Sequence, residues 1–470
     1  MASRDQFNSR LGFILASAGS AVGLGNIWKF PFETGAGGGA AFVIVYLAFA
    51  FILCFPVMVA ELAIGRKSQR NPVGAFKVLG YKKWAFIGYM GVAAGFLILS
   101  FYNVVAAWAF GYFVDMVLGR FDVGAHFGDF TKDWITVGSY GILFMGATAM
   151  VISRGVSGGI EKAAKILMPA LLIMILALVA YALTLPHAME GVKFYLSPDF
   201  SKITWQVVYK ALGQAFFSLS LGMGALITYG SYVSRKTNIV SAAAIITVTD
   251  VSIAFLAGLM MFPFVAFLTE GDLVAMQNIS GGPGFIFQTL PGIFQSFGDT
   301  LGIIVGAGFF LLLSFAAFTS TISLLEVPTS YMVDERKIPR KKATWIVATL
   351  IFLIGIPSML SQGAVDWLGS FVQLPGMDHK IDFLTLVGLV ANDTFLPLGG
   401  FLISVFTAYI WRKQNFNDEI AAGDEAIRGS LLQRYVDFAI SYICPAILGF
   451  ISIVTIFNTY VGIDILAWFE

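Results

Sequence analysis

The run Ser20-Ala21-Val22-Gly23-Leu24-Gly25-Asn26 sits in the middle of an apolar stretch from about Leu11 to Thr34, and no other segment constrains the fold as strongly. At 1.5 Å rise per residue the stretch is long enough to cross a bilayer. Two glycines and an asparagine at its centre weaken the helix where lipid offers the backbone no partner. An interruption survives there only if protein or a bound solute takes up the freed carbonyls and amides. The run Gln214-Ala215-Phe216-Phe217-Ser218-Leu219-Ser220-Leu221-Gly222-Met223-Gly224 has the same defect inside another apolar segment. Two interrupted helices in one membrane chain predict a site for a small charged solute near the midplane.

With 58% hydrophobic and 12% charged residues, the chain cannot clothe a soluble domain in polar surface, and it reads as an all-α polytopic membrane protein. The net charge of +1 gives no reason to expect a nucleic-acid partner. The first hydrophobic segment lacks a cleavage site and is expected to stay in place. Cys54 and Cys444 lie in apolar segments, and His126, His187 and His379 fall in separate loops, so neither a disulfide framework nor a transition-metal site is expected. Apolar windows recur at about 11–34, 41–65, 85–118, 134–152, 163–185, 205–232, 239–268, 300–332, 343–360, 382–411 and 435–466, which predicts about eleven spans. Clusters such as Arg66-Lys67, Lys82-Lys83, Arg235-Lys236, Arg340-Lys341-Lys342 and Arg412-Lys413 fall on one side of that arrangement, and only Arg120, Lys132, Lys193, Lys202, Lys380 and a few others fall on the other. The positive-inside rule then sets the N-terminus in the cytoplasm and the C-terminus outside.

The interrupted spans are the first and the sixth. Spans one to five (11–186) and six to ten (205–411) therefore predict a 5+5 inverted repeat, because an odd number of spans per repeat turns the halves over. The span at 435–466 stands outside it, and residues 1–10 form a cytoplasmic N-terminal segment. Segment 270–299 carries Gly281-Gly282-Pro283-Gly284 and Thr289-Leu290-Pro291 and reads as an external lid packed on the bundle. Gly35-Ala36-Gly37-Gly38-Gly39 lacks the flanks of a nucleotide loop and reads as an external turn. Asp250, mid-span in Thr247-Val248-Thr249-Asp250-Val251-Ser252, is costly in a membrane and hence a functional candidate. No nucleophile-base constellation marks an enzyme.

The run from Arg10 through Ala21-Val22-Gly23-Leu24-Gly25-Asn26-Ile27-Trp28-Lys29-Phe30-Pro31 resembles the first helix of the neurotransmitter:sodium symporters, most closely their bacterial amino-acid members. Residues 213–232, the lid, and Phe315-Ala316-Ala317-Phe318-Thr319-Ser320 resemble that family's sixth helix, external lid and eighth helix. The resemblance covers nearly the whole chain and implies a sodium-coupled symporter in a bacterial inner membrane. It implies two sodium ions. One would be held by the carbonyls of Gly19, Val22 and Ala316 with the hydroxyls of Thr319 and Ser320. The other would be held by the carbonyls of Ala21 and Ser218, the Ser218 hydroxyl, Asn26 and Asp250. An amino-acid carboxylate would lie on the Leu24 and Gly25 amides at a half-helix N-terminus, beside Tyr102. The ammonium would meet oxygens around Ser20, Ala21, Phe217, Ser218 and Ser220.

Gly23 stands where monoamine-carrying relatives have an aspartate, so the cargo is expected to bring its own carboxylate. Ile98, Phe217, Met223 and Leu324, with Ser320, would line an apolar side-chain pocket for a neutral hydrophobic amino acid. Chloride-dependent relatives have asparagine at the position of Asp250 and hold the anion with residues matching Tyr46, Gln214 and Ser218, so chloride independence is expected. The resemblance also implies an inner gate of Arg4 and Asp334 with Tyr232, and an outer gate of Lys29 opposite Asp382. Glu61 would satisfy unwound backbone of the sixth helix, and Glu61 and Gln214 would stand behind the residues that touch cargo and ions. The chain would act alone or as a weak dimer. The alternatives are an amino-acid-binding membrane sensor and a uniporter without ion coupling, which sodium-dependent accumulation separates from a symporter.

Overall fold

The computed structural model describes residues 5–272 and 285–465. Among these residues there is no β-strand, only one isolated bridge between Val372 and Ile381. Helices α1 (Arg10–Ala21) and α2 (Gly25–Ala36) meet at a bend of 52°. They lead into α3 (Ala40–Ser68), α4 (Lys82–Val117), α5 (Trp134–Ser153) and α6 (Val156–Ala182). Next come the short α7 (Trp205–Ser218) and α8 (Ala225–Gly230). The long helices that follow are α9 (Ile239–Leu268), α10 (Asp299–Arg336), α11 (Arg340–Leu360), α12 (Phe383–Ile410) and α13 (Leu431–Val461).

Nine of the described helices are long and apolar enough to cross a membrane, or ten with α1 and α2 counted as one span. The expected eleven is not reached on length and composition. The missing one is the second interrupted element, whose pieces of 14 and 6 residues each fall short of a bilayer. Both predicted interruptions are present. Val22 leaves the helix with extended backbone (φ −70°, ψ 110°), and Ser220, Gly222 and Gly224 all have positive φ. At Gly222 a side chain would also strike the backbone of Leu396 on α12, so both its conformation and its surroundings require glycine.

Helices α4 and α10 make the most extensive helix pairing, and α1 packs against α6, α9 and α10. The outer faces of α5, α6 and α11 expose Ile142, Leu143, Ile166, Ile173 and Leu353. An apolar rim of that kind suits lipid rather than water. Polar side chains are turned inward: Asn26, Glu61, Asp250 and Glu326 are fully buried. The turn at Gly37-Gly38-Gly39 joins α2 to α3, as expected of a tight connection. Of the predicted lid, residues 273–284 lie outside the described residues. Its second half packs on the bundle, with the Phe287 ring stacked 5.4 Å from Phe127 and edge-on to Tyr112 at 5.0 Å.

Beyond the spans, a helix at Lys413–Ala421 docks on the end of α3 through a buried ion pair. Arg66 Nε donates to Glu419 Oε1 at 2.8 Å and its Nη1 to the Thr237 carbonyl at 2.5 Å, while Nη2 reaches the Glu419 carbonyl. Glu419→Gln is expected to cost about 3–5 kcal/mol, because a buried guanidinium loses its counter-charge. The paired change Arg66→Met with Glu419→Leu should cost less than the single change. Melting temperatures of the three variants in detergent, set against the unaltered chain, check both statements.

Candidate functional site

The site is built from the backbone groups that the bend between α1 and α2 sets free. A helix interrupted in an apolar core must find a partner for each such group, and the partners here are side chains. Asn26 Oδ1 accepts from the Gly23 amide at 3.0 Å, and Tyr102 Oη on α4 accepts from the Leu24 amide at 3.0 Å. Gln214 Nε2 on α7 donates to the Gly25 carbonyl at 2.8 Å. Thr319 Oγ1 on α10 donates to the Val22 carbonyl at 3.2 Å, and Ser220 Oγ donates to the Ser20 carbonyl at 2.7 Å. The last bond ties the two interruptions together. On the other side of the second interruption, Glu61 Oε1 on α3 accepts from the Gly222 amide at 2.7 Å. Glu61 thus meets the backbone of the second interruption and Gln214 that of the first.

Between the interruptions lies a narrow cavity of about 20 Å³, lined by Ala21, Gly23, Gly25, Ile98, Tyr102, Phe217, Ser218, Ser220, Met223, Ser320 and Leu324. Of the twelve residues expected to hold the cargo, Ser20 and Leu24 do not line it. Ser20 contributes its carbonyl to Ser220, and Leu24 faces a wider vestibule above. Gly23 lies close against the site, where a Cβ would press on Ser320 Oγ and Tyr102 Oη. The vestibule holds about 520 Å³ and is bounded by Trp28, Lys29, Glu33, Phe101, Trp108, Asp382, Asn392 and Asp393 among others. Gly25, Tyr102 and Phe217 line both spaces.

Behind the cavity, a cluster joins α2, α3, α7 and α9 around Asp250. Its carboxylate accepts from Asn26 Nδ2 at 2.7 Å, from Ser218 Oγ at 2.9 Å and from Tyr46 Oη at 3.3 Å. Asp250 is fully buried, and among the described residues no lysine or arginine lies within ion-pairing distance. A buried carboxylate with hydrogen bonds but no counter-charge is an incomplete arrangement that a small cation would complete. Hard oxygen donors suit an alkali ion. A second group of oxygens surrounds Thr319, whose hydroxyl lies 3.0 Å from the Ala316 carbonyl and 3.2 Å from that of Val22. Gly19 packs against the Thr319 side chain. Of the residues expected to bind sodium, Asn26, Ser218 and Asp250 meet in the first group and Gly19, Val22, Ala316 and Thr319 in the second, while Ala21 and Ser320 line the cavity; oxygen donors of this kind fit that ion.

The expected inner gate falls only in part within the described residues. Arg4 lies outside the described residues. Asp334 accepts from the Asn71 amide at 2.9 Å. Tyr232 Oη donates to Glu326 Oε1 at 2.5 Å, and Arg340 Nη2 pairs with Glu326 Oε2 at 2.5 Å. Glu326 and Arg340 were missed in the sequence, although a carboxylate mid-span at Glu326 carries the same signal as Asp250. Phe7 packs edge-on to Tyr229 and Tyr232 at 5.8 and 6.3 Å, and its amide donates to the Tyr232 carbonyl. Nearby, a hydrogen bond to Glu335 at 2.7 Å holds the Lys77 ammonium above its usual pKa. On the vestibule side, Lys29 and Asp382 do not meet. Lys29 Nζ lies 4.9 Å over the Phe217 ring, and Asp382 caps α12.

A family model described as "Sodium:neurotransmitter symporter family" matches residues 4–123 and 137–464. An uncharacterised sodium-dependent transporter of Bacillus subtilis, YhdH, is 35% identical over 97% of this chain and 98% of its own. The sodium- and chloride-dependent GABA transporter 2 of Rattus norvegicus is 25% identical over 77% of this chain and 68% of its own. The crystal structure of MhsT in complex with L-phenylalanine superposes with a TM-score of 0.86 at 41% identity, covering 96% of this chain and 99% of that one.

Glu61→Ala strips the Gly222 amide of its acceptor inside the core. It is expected to destabilise the protein by about 1–3 kcal/mol, whereas Glu61→Gln retains a carbonyl acceptor and loses less. Thermal melts of both variants in detergent check the order.

Proposed function

Since the chain belongs to the sodium:neurotransmitter symporter family, a family of membrane transporters and not of enzymes, we propose that it carries neutral, hydrophobic α-amino acids into the cell with sodium, by alternating access and without chloride. The observation that carries this reading is the cavity between the two interruptions. Gly23 and Gly25 of the bend line it, together with the apolar side chains of Ile98, Phe217, Met223 and Leu324. The start of α2 offers amides and a positive dipole end to a carboxylate. Glycine at position 23 leaves room for a carboxylate that the cargo itself supplies. The 41% identity to a transporter crystallised with L-phenylalanine supports a cargo of that class, and the flexible thioether of Met223 suits side chains of several shapes.

Two sodium ions would occupy the oxygen groups at Thr319 and at Asp250. In this reading Asp250 supplies the negative charge that chloride provides elsewhere, since its carboxylate is already buried among Asn26, Ser218 and Tyr46. Each sodium entering down a potential of about 100 mV contributes roughly 2.3 kcal/mol, so two ions drive useful accumulation. Counting α7 and α8 together as the sixth span gives eleven. The N-terminus is then cytoplasmic, the C-terminus is external, and the vestibule faces outward. Residues 11–186 and 205–411 are the two inverted halves, and the setting is a bacterial inner membrane.

Proteoliposomes with an inward sodium gradient should accumulate phenylalanine above equilibrium, and equally well when gluconate replaces chloride. Saturable sodium-dependent binding without accumulation would instead indicate a sensor. Asp250→Asn should lose uptake in gluconate and recover it in chloride. Loss of uptake by the unaltered chain in gluconate would overturn the role given to Asp250. Thr319→Ala should weaken apparent sodium affinity about tenfold, the loss of one well-placed oxygen, read from the sodium dependence of phenylalanine binding.

A further inference from the structure

Tyr102 and Asn103 are neighbours on α4 and face different spaces. Tyr102 lines the inner cavity. Asn103, about 100° further round the helix, lines a second space where α4 packs along α5 and α11. This space holds about 10 Å³, and Ser100, Val137, Gly141, Gly355 and Met359 are among its walls. Asn103 is 3% exposed. Its Nδ2 donates to the Gly141 carbonyl at 3.2 Å, and its Oδ1 is buried with no hydrogen-bond partner among the described residues. Turning the amide over would set Oδ1 against the Gly141 carbonyl, acceptor against acceptor, so the orientation is fixed. On the same face of α11 as Gly355, one turn further along, the Ser358 hydroxyl is also buried without a partner.

Glycines bring the three helices this close. A Cβ at Gly355 would come within 2.3 Å of the Ser100 carbonyl oxygen, and one at Gly141 within 3.1 Å of Asn103 Nδ2. Into this tight seam the sequence sets a polar amide, and a buried carbonyl with nothing to accept from is costly in a membrane core. The space has the size that holds a single water and no larger solute, and a water requires polar partners as well as room. Asn103 Oδ1 supplies one acceptor. Ser100 supplies another, since its hydroxyl donates to the Leu97 carbonyl at 2.7 Å and keeps its lone pairs. A space that stays dry is lined by apolar groups, and this one is not.

We propose that Asn103 holds one buried water between α4, α5 and α11, and that this water fixes the turn of α4 from which Tyr102 reaches the bend. Tyr102 Oη accepts from the Leu24 amide at 3.0 Å, so the hydroxyl is only as well placed as the turn that carries it. Asn103 is a positioning residue, since it acts on the cargo only through Tyr102. That role rests on the transport reading above; the water itself does not.

Crystals of the full chain that resolve ordered solvent should show a water within hydrogen-bonding distance of Asn103 Oδ1, and under xenon pressure the gas should stay out of this space. A xenon peak there, with no water, overturns the proposal, because it is dry apolar cavities that take up the gas. The positioning role is read from sodium-dependent phenylalanine binding. Asn103→Leu, which puts apolar atoms in place of the amide and the water, should weaken apparent affinity about tenfold, the loss of one well-placed hydrogen bond. On a Tyr102→Phe background the same change should cost nothing further, because both act at one contact. Asn103→Ser keeps a hydroxyl for the water and should retain most of the affinity, which also decides the matter if Asn103→Leu fails to fold. Unaltered affinity in Asn103→Leu, a loss that adds in full to that of Tyr102→Phe, or a tenfold loss in Asn103→Ser each overturns the positioning role. A chain that binds no phenylalanine refutes the cargo reading alone, and the crystals still decide on the water.

Discussion

The interaction on which the rest of the structure depends is the pairing of freed backbone groups at the α1–α2 bend with side chains from other helices. Four elements contribute one partner each: Tyr102 from α4, Gln214 from α7, Thr319 from α10 and Ser220 from the second interruption. A peptide group left without a partner in an apolar core costs several kcal/mol. The bend can persist only while these helices stand where they do. The fold and the site are therefore one arrangement. The same groups that make the interruption tolerable also fix the walls of the cavity between Ala21 and Ser320.

Buried charges obey the same logic with different solutions. Glu61 is absorbed by backbone amides of the second interruption, and Glu326 by Arg340 and Tyr232. Arg66 is answered by Glu419 across more than three hundred residues of chain. Asp250 has three hydrogen-bond donors and no cation among the described residues. In a medium where every unanswered charge is expensive, that difference singles out Asp250 from the structural pairs around it.

Much of this was legible in the sequence because it is written in violations. Gly23, Gly25 and Asn26 inside an apolar run announce a bend, Ser220 and Gly222 announce a second, and Asp250 announces a site. The lining of the cavity could be named once the resemblance supplied a register. Other features were hidden by distance or by register. Nothing local links Arg66 to Glu419 or Tyr232 to Glu326, because such pairs are chosen by packing and not by spacing. The π-winding at Leu389–Phe395 of α12, in the stretch that brings Asn392 and Asp393 to the vestibule, has no local signature. Asp382, expected at the outer gate from the resemblance, also has the short N-cap spacing to Thr385 that fits a helix start. The two ways of counting spans differ for a related reason: a helix cut into pieces of 14 and 6 residues still reads as one apolar window.

Coupling between ion and cargo, in the reading proposed, needs no long-range relay. Ser218 has its hydroxyl bonded to Asp250 and also lines the cavity. Thr319 and Ser320 are neighbours on α10, one bonded to the Val22 carbonyl and the other facing Gly23. Val22 and Gly23 are consecutive residues of the bend itself. A cation that orders the oxygens around Thr319 or Asp250 therefore fixes the peptide planes on which a carboxylate would rest, and the cargo in turn fixes the cation's cage. Because binding free energies are reciprocal, each solute raises the affinity of the other by the same factor. The magnitude is set by how much the bend moves when one of the two is absent. A continuous helix through position 23 would have no such peptide planes to share. That is the physical reason for keeping a defect in the middle of a membrane span.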